Sequence, residues 1–180
     1  MSGRVLVAGV GNIFLGDDGF GSAVARRLAG ASLPAGVRVA DYGTSGMHLA
    51  YDLSGGYETA ILIDASPRGE TPGTVTVLEA RPARRPDPPV DGPAVAGLAA
   101  SRLFDSHGMQ PDLVLGVLDM LGGEAPRILV VCCEPASTSY GMELSEPVAA
   151  AVGEAARIVT DLLAAAAGQP PAAVTRRGEE

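Results

Sequence analysis

Three short runs in this chain, residues 5–9, 59–64 and 128–133, are apolar at nearly every position, and no two are neighbours in sequence. Each is too short for a buried helix, and none shows the polar alternation of a half-exposed strand, so each reads as a strand covered on both faces. Between the first two, residues 20–29 place Val24, Ala25 and Leu28 at helical spacing, 37–42 read as a second strand, and 46–53 open a second helix. Strands alternating with helices in this way predict a parallel sheet with helices on both faces.

The pattern changes after Asp64. Residues 73–79 alternate as Thr74, Val75, Thr76 and Val77 behind a Thr-Pro-Gly turn, which predicts an antiparallel edge strand. Residues 81–93 are rich in proline and predict an irregular loop. Residues 111–121 set Leu113, Val114, Val117, Leu118 and Leu121 on one helical face. Ser145 followed by Glu146 and Pro147 starts a long alanine-rich helix, with Ser145 as its N-cap. The expected architecture is a single three-layer α/β domain over residues 1–167, with a mainly parallel twisted sheet. A flexible C-terminal tail is expected over 168–180.

Composition narrows the function. A formal net charge of −8 lacks the basic patch that a phosphate backbone requires, so nucleic acid is not an expected partner. No apolar run reaches the roughly 18 residues of a spanning helix, and residues 1–10 read as a strand rather than a signal peptide. No membrane partner is expected. The two cysteines, Cys132 and Cys133, are adjacent and cannot frame a disulfide scaffold; they point to core packing and a reducing cytoplasm. All 13 basic residues are arginine, which excludes a Schiff-base lysine and a P-loop lysine.

Gly9-Val10-Gly11-Asn12 between a strand and a helix suggests a dinucleotide loop, but the fingerprint's last glycine is Phe14. Asp17 and Asp18 would also repel a pyrophosphate at the helix N-terminus, so no nucleotide is expected. No G-x-S-x-G elbow, H-E-x-x-H helix or C-x-x-C pair is present. Ser45 and His48, one helical turn apart, read as a capping pair.

Either Asp17 or Asp18 could cap the first helix, and one cap needs only one of them. The expected division gives the cap to Asp17 and turns Asp18 toward a cleft shaped by the glycines of 9–21. Asp64 closes a central strand at its carboxyl end, where open α/β sheets place their sites; a cap or turn would explain it equally. His107 lies in a loop leading to the 111–121 helix. Asp18, Asp64 and His107 would leave open coordination positions around a metal, and their spacing allows convergence without proving it.

Taken together, Gly9-Val-Gly-Asn12, Asp17-Asp18-Gly19 with Gly21, Asp41-x-Gly43-Thr44-x-Gly46, Ile63-Asp64-Ala65, His107-Gly108, Glu134-Pro135 and Gly141-x-x-Leu144-Ser145 resemble the hydrogenase maturation protease family. The resemblance runs from Arg4 to about Leu163. It implies an endopeptidase that removes the C-terminal extension of a NiFe hydrogenase large-subunit precursor after nickel insertion. It also implies that Asp18, Asp64 and His107 are nickel ligands and catalytic residues, the nickel arriving with the precursor. The first ligand is Glu in some members and Asp in others. Two other readings compete: a zinc-dependent peptidase or amidase using the same trio, and a nickel-sensing chaperone that binds the precursor without cutting it.

Overall fold

The computed structural model describes residues 4–80 and 126–166. In chain order the elements are β1 (Val5–Val10), a single 3₁₀ turn (Gly16–Gly19), α1 (Phe20–Ala29), β2 (Val37–Gly43) and α2 (Gly46–Leu53). They continue with β3 (Thr59–Ala65), β4 (Val75–Ala80), β5 (Arg127–Cys133) and α3 (Glu146–Ala166). The expectations for 81–93, 111–121, His107 and the tail lie outside the described residues.

The five strands form one sheet in the order β2-β1-β3-β5-β4. The β1–β2, β1–β3 and β3–β5 pairings are parallel, and β4 runs antiparallel to β5 at the edge. Thus β1 is followed by a strand on one side of it and β3 lies on the other. The chain reverses direction across the sheet between β1 and β3, which defines a topological switch point.

The period-two side-chain pattern splits the core into two layers. Val5, Val7, Ile61, Ile63, Leu129 and Val131 face Phe20, Val24 and Leu28 of α1 and Val148, Val159 and Leu163 of α3. Leu6, Ala8, Leu62 and Ile128 face Leu49 and Leu53 of α2 on the opposite side. Helices therefore cover both faces. Every residue of β1 is buried, as its unbroken apolar run requires.

The strand ends differ slightly from the sequence expectation because pairing extends them: Thr59 pairs with Arg127, and Ala65 with Cys133. Asp64 is consequently the penultimate residue of β3, opposite Cys132. Both cysteines are free and buried, with Cys133 in the α1/α3 layer.

The glycines of the first loop divide their work: Gly11 lines an open groove, in keeping with the expected cleft, whereas Gly9 and Gly21 are packing positions. A Cβ at Gly21 would strike the carbonyl oxygens of Val10 and Ile63, and one at Gly9 would strike the Gly21 carbonyl oxygen and come 2.7 Å from the Ala25 Cβ. Gly9 and Gly21 bring α1 flush onto β1 and β3, instead of opening a cleft to a ligand. Gly11, at φ 122°, lies against the carbonyl oxygen of Asp18, so any side chain there would push the 3₁₀ turn away.

Candidate active site

The 3₁₀ turn after β1 carries two adjacent carboxylates that do different work. Asp17 is buried and caps no helix: neither the turn nor α1 has a side-chain cap bond. Its Oδ2 accepts the N–H groups of Ala136 at 2.8 Å and Ser137 at 3.0 Å, and the Ser145 hydroxyl at 2.9 Å. Its Oδ1 accepts the Ser145 N–H at 2.6 Å. Burial alone would raise its pKa, but these donors, led by Ser137 and Ser145, outweigh burial and hold it below the usual carboxylate value. The expected cap is corrected accordingly: Asp17 binds the segment between β5 and α3. Ser145 does occupy the residue before α3, and its carbonyl accepts the Ala149 N–H.

Asp18 is also buried, and its Oδ2 accepts the Asn12 N–H at 2.6 Å. Asp64 reaches the same place from β3. Burial, then the charge of Asp18, pushes its pKa up to about 7, with a hydrogen bond from Ala65 opposing them. Its Oδ1 is buried without a hydrogen-bond partner. The two carboxylates thus lie near one another at the carboxyl ends of β1 and β3, at the switch point, and Asp64 keeps a buried oxygen without a hydrogen-bond partner there. His107 lies outside the described residues, and no three His, Cys, Asp or Glu gather among the described ones.

Two further acidic residues shape the surroundings. Asp41, at the end of β2, accepts the Ser22 hydroxyl at 2.7 Å and the Gly43 N–H at 3.0 Å through Oδ1. It lines an open groove of about 330 Å³ with Gly11, Asn12, Phe14, Gly43 and Thr44. Glu134, just after β5, accepts the Arg68 N–H at 2.7 Å and the Gly69 N–H at 3.3 Å, fixing the loop that leaves β3 beyond Asp64. Sequence reasoning assigned neither a role, although Asp41-x-Gly43 and Glu134-Pro135 both stood out; the Ser22 partner of Asp41 and the Arg68 and Gly69 partners of Glu134 are distant in sequence.

No protein-family model matches the chain. Known proteins do resemble it. The hydrogenase expression/formation protein HupD of Rhodobacter capsulatus is 35% identical over 160 residues, spanning 86% of this chain and 70% of its own. The hydrogenase maturating endopeptidase HybD of E. coli superposes with a TM-score of 0.65 at 28% identity, covering 87% of this chain and 89% of its own. The hydrogenase 2 maturation peptidase of a Thaumarchaeota archaeon gives 0.62 at 30% identity, covering 89% and 97%. The fold is that of the peptidases that mature hydrogenases. The chain belongs to the hydrogenase maturation protease family and is an endopeptidase.

Proposed function

We propose that this protein removes the C-terminal extension of a NiFe hydrogenase large-subunit precursor after nickel has been inserted, and that it works in the cytoplasm. One observation carries the reading: Asp64 keeps a buried carboxylate oxygen without a partner, beside Asp18, at the switch point of the sheet. Such an oxygen is costly unless a ligand completes it. Hard oxygen donors without thiolate suit a divalent cation borne by the substrate, with Asp18, Asp64 and His107 as its ligands. Nickel on the precursor marks the tail as ready for cutting and, when seated, withdraws electron density from the groups it contacts.

The peptide bond is then hydrolysed by water. Water activated beside Asp18 or Asp64 attacks the scissile carbonyl, and the proton it gives up passes to the leaving nitrogen. No helix among the described residues is long and apolar enough to cross a membrane. The test is the mass of a purified nickel-loaded precursor before and after incubation with the protein. Loss of the tail from that precursor, and not from its metal-free form, is expected. An unchanged mass with tight binding favours the chaperone, and equal cutting without nickel removes the nickel requirement. Stoichiometric zinc retained on purification favours the zinc enzyme.

A further inference from the structure

The Asp64 carboxylate is aimed by its own backbone. Its buried Oδ1 has no hydrogen-bond partner, and the donor that opposes the rise in its pKa is the N–H of the next residue, Ala65. That stretch of backbone is paired on one side only. Pairing of β3 with β1 stops at Ile63 opposite Gly9, whereas pairing with β5 runs on to Asp64 opposite Cys132 and Ala65 opposite Cys133. The Ser66 N–H, donating to the Cys133 carbonyl at 3.0 Å, carries the contact one residue further.

Beyond Ser66 the chain is caught by a side chain. Glu134, the residue after β5, is 8% exposed. Its Oε2 accepts the Arg68 N–H at 2.7 Å and its Oε1 the Gly69 N–H at 3.3 Å. The backbone of Glu134 takes the far end of the same connection: the Gly73 N–H donates to its carbonyl at 2.8 Å, and its own N–H donates to the Thr74 carbonyl at 2.9 Å. One residue thus closes the loop between Asp64 and β4 at both ends. Burial alone would raise the Glu134 pKa, but the N–H groups of Arg68, Glu70 and Gly69, with the charge of Arg68, hold it below the usual glutamate value. The side chain therefore meets these donors as a carboxylate, the form that accepts most strongly.

We infer that Glu134 is a positioning residue for Asp64: by holding the Arg68 and Gly69 N–H groups it fixes the strand end that turns the Asp64 carboxylate toward the site shared with Asp18. This rests on the function proposed above. Glu134 acts through the backbone of residues 65–69 and leaves binding of the tail to other groups. The test compares steady-state cleavage of the purified nickel-loaded precursor by the wild type, Glu134→Ala and Glu134→Gln, each well below its melting midpoint. Amide hydrogen exchange of the same three proteins, without precursor, reports where the backbone loosens.

Glu134→Ala is expected to lower kcat about 100-fold with KM nearly unchanged, the scale on which a displacement of about 1 Å costs rate. Glu134→Gln keeps an acceptor for the Arg68 N–H and is expected to recover most of that loss, to within about tenfold of the wild type. Exchange should quicken at Arg68 and Gly69 in both variants and stay slow in β1. Should Glu134→Ala fail to fold, Glu134→Gln decides alone, through a lowered kcat with quickened exchange at Gly69. Wild-type kcat in a variant whose loop exchange has quickened overturns the inference and leaves Glu134 a loop anchor. A rise in KM at unchanged kcat overturns it, as does a fall in kcat with exchange unchanged or quickened equally through β1. In each of these cases the wild type still cuts the precursor, so the protease reading stands. A wild type that does not cut it overturns both.

Discussion

Asp17 and Ser145 are joined twice across 128 residues: the Ser145 N–H meets Oδ1 at 2.6 Å and its hydroxyl meets Oδ2 at 2.9 Å. With the Ala136 and Ser137 N–H groups on the same carboxylate, Asp17 organises the whole return from β5 to α3 around the turn that holds Asp18.

Both Asp17 oxygens accept, so an amide cannot replace it. Asp17→Asn would present an NH₂ group to backbone N–H donors on one side. The expected cost is about 1–3 kcal/mol, because buried donors lose their acceptor. Thermal denaturation should show a midpoint lowered by several degrees. An unchanged midpoint would mean that the turn and the Ser145 segment are held by other contacts.

Asp64 predicts an unusual pH dependence of stability in the metal-free protein. Its folded pKa of about 7 lies above the ordinary aspartate value of 3.8, so between these limits the folded chain holds a proton that the unfolded chain has lost. The contribution of this group is therefore fully present below about pH 4 and is lost as pH rises toward 7, by an amount on the order of a few kcal/mol. Asp64→Asn should abolish that decline and be more stable than the wild type at pH 8. Urea unfolding of both proteins at pH 5 and pH 8 measures it, and parallel losses in the two would contradict it.

These two aspartates also show what a sequence can and cannot disclose. Helices α1 and α2 were legible to the residue because apolar spacing and the flanking turns are local signals. The place of Asp64 followed from the apolar run that ends in it, and that of Asp18 from a glycine-flanked turn after the first strand. The donors to Asp17 lie 119 to 128 residues away in a loop, and no periodicity announces them. Local reasoning therefore gave it the nearest local task, a helix cap. Of the loop glycines, Gly11 does line a groove, but the space at positions 9 and 21 is filled by neighbouring residues, which only the packed sheet reveals.

Gly21→Ala tests that packing. The added methyl would occupy the space of the Val10 and Ile63 carbonyl oxygens, and backbone cannot yield as a flexible side chain can. Shifting α1 off β1 and β3 would disturb the layer built on Phe20 and Val24, at an expected cost of about 1–3 kcal/mol or more. Gly56→Ala makes the contrast: nothing lies within 4 Å there, and only its φ of 82° resists the change. The melting midpoint of Gly21→Ala should fall further than that of Gly56→Ala. The reverse order would show that backbone conformation, rather than close approach, sets the demand for glycine in this fold.

Asp18 differs from its neighbour in what it loses when neutralised. One backbone N–H, from Asn12, meets its Oδ2, and an asparagine can keep that bond through its own carbonyl oxygen. Asp18→Asn should therefore lose less stability than Asp17→Asn, whose carboxylate accepts four donors. It would remove the charge that helps raise the Asp64 pKa, and Asp64 would titrate lower. A neutral amide is also a poor ligand for a substrate-borne cation, so precursor cleavage is expected to fall by about 100-fold or more. The pair of measurements, melting midpoint and precursor mass, separates the two roles. Stability retained with cleavage lost places Asp18 in the chemistry, whereas full cleavage by Asp18→Asn would leave Asp64 to act without it.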